Sequence, residues 1–296
     1  MVEAEAGALP ERRRGRLPAA REVATRVGLL VLVLALLWGL WEGWRWIGTH
    51  FDLTWPFPVN DVTMPHLHRI VQSLFQPAQV NGPWLIDILW HASLFTAKEC
   101  IVGFLLGSLF GFAIAVALSQ SRLLERGFIP YIVASQTIPL LAIAPMVVVG
   151  LGTKGVKDWV SVAILAAYLT FFPVTVNSLR GLQSADPRAI ELMRSYAAGR
   201  WSILWKLRVP ASLPYLFAAF RIAAPLAIVG AIISEPAASI QGGLGGAIVN
   251  FSQYYSIEPQ ELWATNIIAA ILGIVFFLVV VLVEKLVVHR PPEQHA

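Results

Sequence analysis

Six runs of about twenty mostly apolar residues, at 27–47, 100–118, 128–151, 159–179, 215–233 and 263–283, restrict this chain more than anything else in it. A helix needs roughly 20 such residues to cross the hydrocarbon core of a bilayer. The runs therefore predict an all-α, polytopic membrane protein with about six transmembrane helices. Only 14% of the 296 residues are charged and 57% are hydrophobic, against about 25% charged in a soluble domain. An amphipathic stretch at 84–97 reads as a lead-in to the second run along the membrane surface.

The basic residues report orientation. Arg12, Arg13, Arg14, Arg16, Arg21 and Arg26 precede the first run, like the charged region of a signal peptide. The run is long, however, and it ends in Trp38, Trp41, Trp44 and Trp46 with no small-residue cleavage site after it. A retained signal-anchor with an outer aromatic belt is the expectation. With the N-terminus inside, the inner segments hold sixteen Lys and Arg and the outer ones five, Arg221 falling within a span; residues 236–262 have none. The positive-inside rule then puts both termini in the cytoplasm. On this reading, 1–26 is a cytoplasmic arm, 27–47 the first helix, and 48–83 an irregular Pro-rich outer loop. Residues 84–285 form the main transmembrane domain and 286–296 a cytoplasmic tail.

Function classes narrow by what the chain lacks. The single Cys100 cannot form an internal disulfide, and no Cys/His set has metal-ligand spacing. No G-x-S-x-G, HExxH or GxxxxGK[ST] motif occurs, so no catalytic residue, metal, cofactor or ATP site is predicted. His66 and His68 in the outer loop read as surface residues. The basic residues are not clustered with aromatics on a soluble domain, which argues against nucleic acid. Glu99, Glu235 and Glu284 fall near the ends of predicted spans, leaving no carboxylate at mid-membrane. A proton- or sodium-coupled carrier is expected to have one, so the energy for transport is expected to come from elsewhere.

Within the spans, Gly103, Gly107 and Gly111 recur every four residues, followed by Ala115. That spacing fills one helix face with small residues and predicts close helix packing; a place on a transport pathway is the second reading. The third run holds Pro130, Pro139 and Pro145, with Ser135, Gln136 and Thr137 beside Pro139. Two readings stand for this cluster: a polar pathway lining at a bent helix, or a plain kink with hydroxyls bonded back to the backbone.

The polar loop at 184–214 separates a passive pore from a driven machine. Asp186 before Pro187 is a helix start, with Asp at the N-cap and Pro at N1. A helix is expected from 187 to about 198, interrupted at Gly199. A second short stretch follows with Trp201, Leu204 and Trp205 on one face, and Pro210 and Pro214 stop it before the next span. A compact knob that docks on a partner and an interfacial hairpin lying on headgroups are the alternatives.

This loop resembles the EAA loop of permease subunits in bacterial binding-protein-dependent ABC importers. Glu191 takes the glutamate position, and Pro210 the later proline position, followed by Ala211, Ser212, Leu213 and Pro214. Leu192 and Met193 replace the two alanines, Ala197 replaces the usual glycine, and the glycine stands instead at Gly199. The glycine-spaced second run, the proline-bearing third run and the GGLG at 242–245 are similar to the same family. The likeness covers about residues 90–285 and is greatest to the nitrate, sulfonate and taurine group, which includes pyrimidine-precursor and riboflavin importers; SQTIPLLAIAP is most similar to the vitamin-related branch.

The resemblance implies a type I ABC importer permease fold in the bacterial inner membrane. It implies that the loop, through Asp186, Glu191, Ala197, Gly199, Trp201, Pro210 and Pro214, acts as a coupling helix in the cleft of a cytoplasmic ATPase dimer. It also implies a second permease copy, identical or not, and an extracytoplasmic solute-binding protein, for which the outer GGLGG loop is a flexible edge; a tight re-entrant turn is the other reading of those glycines. The implied cargo is a small organic solute or anion: a vitamin or precursor such as riboflavin or a pyrimidine, or nitrate, sulfonate or taurine. A stand-alone channel or secondary carrier is the alternative function.

Overall fold

The computed structural model describes residues 20–52, 58–79 and 81–288, and divides into two compact units, 1–67 and 68–296. The arginines at 12–16 and Arg290, on which part of the orientation argument rests, lie outside the described residues. Among the described residues all regular elements are helical, apart from one isolated antiparallel bridge between Pro77 and Trp84.

The first unit is built on α1 (Ala20–His50), which covers the first predicted span. Its 31 residues extend about 46 Å at 1.5 Å per residue, and Leu32, Leu36 and Leu40 are exposed along it, as lipid contact requires. The outer segment is held rather than loose. Arg45 is buried, donates to the Met64 carbonyl at 2.7 Å and pairs with Asp61, and Glu42 takes the His66 ring nitrogen at 2.9 Å.

The second unit begins with the short helix α2 (Leu67–Ser73). Then α3 (Leu85–Ser119) runs unbroken for 35 residues. The stretch at 84–97 is thus not a surface lead-in. It holds no internal Pro or Gly to end a helix, and its amphipathic pattern is a buried stripe of Leu85, Leu89, Ala92, Thr96 and Glu99 facing the bundle.

The third predicted span is two helices, α4 (Arg122–Ser135) and α5 (Leu140–Gly152), meeting at 94°. Of its three prolines, only Pro139 makes the break. It lies just before α5 in extended backbone, where its ring also keeps Ile138 from helical geometry. Pro130 and Pro145 stay inside their helices.

The core is made by α3, α6 (Asp158–Gln183) and α9 (Val209–Ser234). Small residues set how closely they approach. A Cβ on Gly103 would lie 2.6 Å from Ala166 Cβ, one on Gly107 would lie 2.5 Å from the Ala167 carbonyl, and one on Gly111 2.5 Å from the Phe171 carbonyl. Ala219, Ala223, Ala227 and Ala231 give α9 an equally thin buried face. Phe104 of α3 meets Phe220 of α9 and, on α11 (Pro259–Val287), Phe276 edge to face at 5.4 and 5.3 Å. Close packing of small faces is how membrane helices associate when lipid removes the hydrophobic drive between them. Four helical runs, 85–119, 158–183, 200–238 and 259–287, are long and apolar enough to cross a membrane, with the bent α4–α5 pair as a fifth, among the described residues.

Candidate functional site

The polar loop forms the helix, turn and helix that its sequence foretells. Helix α7 (Pro187–Ser195) opens with the Asp186 carboxylate accepting from Arg188 N at 2.9 Å and with Pro187 in the first turn. It closes in a Schellman turn: Ala197 N donates to the Arg194 carbonyl at 2.9 Å and Ala198 N to the Met193 carbonyl at 3.0 Å. That motif requires a left-handed residue at the position after the cap, and Ala197 takes it with φ of +54°. Gly199 instead adopts an ordinary extended conformation, φ −68°, and begins α8 (Arg200–Ile203). The left-handed corner has therefore not moved to Gly199; it remains at the position where the resembled loop has glycine, and an alanine fills it.

Beyond α8 the chain does not stop at its prolines. A π-helical turn at 204–208 carries it directly into α9, so 200–238 is one helical run. Pro210 lies in the first turn of α9 at the junction with the π turn, and Pro214 one turn further in, so each removes one backbone donor from a continuous helical run. Trp201, Leu204 and Trp205 do not share a face. Leu204 is 2% exposed and packs with Ala115, Leu118, Leu179 and Leu182 at the ends of α3 and α6, whereas Trp201 is 68% exposed and Trp205 is exposed as well. Consecutive helical residues lie about 100° apart, so Leu204 faces the bundle while both indoles stay outside. Leu192 and Tyr196 are exposed too, as are Glu191, Ala197, Gly199 and Pro210; Pro214 is half-buried.

At the α4–α5 break, Ser135 Oγ and Thr137 Oγ1 each donate to a carbonyl three residues back, Ile132 and Ala134, at 2.7 Å. The Tyr168 hydroxyl of α6 donates to the Ser135 carbonyl freed by the break. Gln136 is the exception: its Nε2 is buried and meets no acceptor among the described residues. A buried amide donor left unpaired is costly, which sets Gln136 apart from the two hydroxyls beside it.

A third polar cluster went unread in the sequence. Glu99 and Glu235 are both completely buried, Glu99 in the interior of α3 rather than at a span end. Thr96 Oγ1 donates to Glu235 Oε1 at 2.5 Å and accepts from Leu244 N at 2.9 Å; Gly245 N donates to Glu235 Oε2 at 2.5 Å. This approach accounts for Gly243, where a Cβ would collide with the Glu235 carboxyl group, and in part for Gly245, where it would collide with the Ile232 carbonyl and lie 2.9 Å from Glu235 Oε2; Gly246 is crowded instead by the Ile240 carbonyl, and Gly242 has open space around it. The helix α10 (Leu244–Gln253) thus begins on a buried carboxyl group, which its first amides stabilise. Glu284 and Arg221 form an ion pair between α11 and α9, which neutralises the arginine inside the span.

Comparison with known proteins agrees with this architecture. Residues 103–290 match the family described as binding-protein-dependent transport system inner membrane component. The chain is 32% identical over 185 residues to the formylaminopyrimidine transport permease protein ThiX of Halalkalibacterium halodurans, covering 62% of this chain and 71% of that one. It is 29% identical over 202 residues to the riboflavin transport system permease protein RibX of Chloroflexus aurantiacus, covering 68% and 72%. Over 212 residues it is 29% identical to a probable ABC transporter permease protein of Haemophilus influenzae, covering 72% and 78%. The crystal structure of an amino acid ABC transporter with histidines shares the fold, with a TM-score of 0.53 at 18% identity over 68% of this chain and 94% of that one.

Proposed function

The chain belongs to the family of binding-protein-dependent transport system inner membrane components, and on that premise we propose how it is driven and what it carries. It is a multi-pass permease subunit that forms the translocation path of an ABC importer, with the type I importer fold. The alternative of a stand-alone channel or secondary carrier is set aside by that membership.

The proposed driver is a separate cytoplasmic ATPase dimer docked on α7 and α8. One observation carries this: the knob exposes Leu192, Tyr196, Trp201 and Trp205 to solvent while Leu204 fixes it to the bundle. Exposed aromatics on a firmly held element mark an interaction surface. Asp186, Glu191, Ala197, Gly199, Trp201, Pro210 and Pro214 are the docking-loop residues of this proposal. Closure of the ATPases on ATP would move the knob, and α9, continuous with it, would carry that motion into the core. ATP is hydrolysed in the partner and not in this chain. A second permease copy completes the path, both termini lie in the cytoplasm of a bacterial inner membrane, and an extracytoplasmic binding protein delivers the solute.

The proposed cargo is a small organic solute, a vitamin or vitamin precursor of the heterocyclic kind, ahead of nitrate, sulfonate or taurine. Support comes from the uncharged groups at Ser135, Gln136, Thr137 and Pro139, with the unpaired Gln136 amide among them, and from relatives named as formylaminopyrimidine and riboflavin transport permeases. The test is purification of the tagged chain from detergent with identification of what accompanies it, followed by uptake and ATPase assays on Glu191→Ala and Trp201→Ala. The expected result is an ATPase in the eluate and variants that separate hydrolysis from uptake while remaining folded. Normal coupled uptake in both variants refutes docking through this knob.

A further inference from the structure

The polar end of the bundle holds two adjoining cavities of about 490 and 350 Å³ that share Ser119, Gln120 and Arg208 in their walls. Arg122 and Arg126 line the first, and Arg194 and Arg200 the second. Five arginines thus line this pair of cavities, Arg208 belonging to both, with a single carboxylate, Glu125, which accepts a hydrogen bond from Gln183 at 2.8 Å. None of the five makes an ion pair with another described residue. Arg208 donates through Nη1 to the Ser119 carbonyl at 3.3 Å, while its Nε is buried without an acceptor. The 14-residue helix α4 opens onto the same recess at Ser121, whose side chain leaves the first amides uncapped.

Topology alone would scatter basic residues over this face; it would not gather them around a cavity and leave a buried donor unmatched. We propose that the recess is a binding site for the phosphate headgroup of an anionic phospholipid, held by Arg122, Arg126 and Arg208 with Arg194 and Arg200 at its rim. Guanidinium forks suit phosphate oxygens. The recess sits where α3 and α6 end and α4 begins, so spans ending there would bring it to the level of the headgroups. Beside it α4 exposes Leu123, Phe128 and Tyr131, which offer acyl chains a surface that a free anion or an acidic protein edge does not need. The lipid would belong to the cytoplasmic leaflet, so this assignment rests on the orientation proposed above, and basic pockets between helices on that side are suited to anionic lipid. Bound there, the headgroup would bridge α4 to the root of the docking knob.

The experiment is native mass spectrometry of the delipidated full-length chain titrated with dioleoyl phosphatidylglycerol, dioleoyl phosphatidylcholine or inorganic phosphate. Phosphatidylglycerol is expected to bind preferentially, and R122Q/R126Q to weaken it by roughly tenfold or more, with phosphatidylcholine unaffected. R122K/R126K is expected to restore most of the binding, and an unchanged melting temperature separates a lost site from a lost fold. Equal phosphatidylglycerol binding by wild type and R122Q/R126Q overturns the proposal. So does displacement of the lipid by millimolar inorganic phosphate, which points to a free anion. Unaltered lipid binding combined with lost co-purification of the ATPase overturns it too, by assigning the arginines to the protein partner. Because lipid binding is read without any ATPase present, its failure is distinct from failure of the docking assignment.

Discussion

Replacing Ala197 with glycine tests the geometry of the docking knob at its most strained residue. A side chain at φ of +54° is held in left-handed backbone at a cost of about 1–2 kcal/mol relative to glycine. Glycine gives part of that back, because its freer unfolded chain loses about 0.4–1 kcal/mol more on ordering. The net expectation for Ala197→Gly is a local stabilisation of about 0.5–1 kcal/mol, or roughly two- to five-fold slower opening of the turn. The amides to watch are Ala197 and Ala198, which close the Schellman turn onto Arg194 and Met193. Hydrogen-exchange mass spectrometry on a peptide spanning residues 192–203 reads them directly. Ala197→Val should act oppositely, since a β-branched residue tolerates positive φ worst, and Gly199→Ala should bring no gain, because Gly199 is not left-handed. Faster exchange in Ala197→Gly, or protection gained from Gly199→Ala instead, refutes the assignment of the left-handed corner to residue 197.

The tight approach of α3 to α6 and the buried carboxyl cluster give further expectations. Gly107→Ala should lower the melting temperature in detergent. The new methyl would overlap the Thr170 hydroxyl and the Ala167 carbonyl, and overpacking of about 1–3 kcal/mol exceeds the helix-propensity gain of about 1 kcal/mol. Gly127→Ala in α4, with open space around it, isolates the propensity term and should be neutral or stabilising; equal behaviour of the two variants would count against close packing. Thr96→Val should destabilise by about 1–3 kcal/mol, because Leu244 N and Glu235 Oε1 both lose a partner; Thr96→Ser should recover most of the loss, and a Thr96→Val protein as stable as wild type would show that the cluster does not hold the GGLGG segment.

The long apolar runs were readable because lipid demands them, and the Asp186–Pro187 start was readable because capping is chemistry between near neighbours. What resisted reading was long-range. Nothing local to Glu99 reveals that it lies in the interior of a 35-residue helix, since the residues before it are amphipathic and look like a surface segment. Asp87 and His91 in that segment are exposed, and Thr96 is buried with its hydroxyl bonded to Glu235 and the Leu244 amide, groups more than a hundred residues away in sequence. The signal that was present, Thr96 and Glu99 on one helical face together with a glycine-rich segment close after Glu235, becomes interpretable once the three elements are seen to meet. The three prolines of the third run show the same limit. All look able to break a helix, yet only Pro139 does. At that break the Ser135 carbonyl accepts from the Ile138 amide and the Tyr168 hydroxyl, a partner on α6 that no local pattern reveals.

The 200–238 run joins these observations. At one end Leu204 fixes it among the ends of α3 and α6, with Trp201 and Trp205 left outside; at the other, Glu235 holds the start of α10 through Gly245. About 46 Å of helix at 1.5 Å per residue separates Leu204 from Glu235, interrupted in its hydrogen bonding within α9 at Pro214 and Pro225. A helix of that length bends where its ladder is broken and is otherwise stiff, so under the docking proposed above displacement of the knob would concentrate bending at those two prolines. Under that proposal the thin alanine face at 219–231 would let this segment tilt against its neighbours with few large side chains to repack. That makes the order of the residues consistent with use: aromatic contact surface, anchored π turn, compliant proline, smooth alanine face and buried carboxyl group, all on one continuous element.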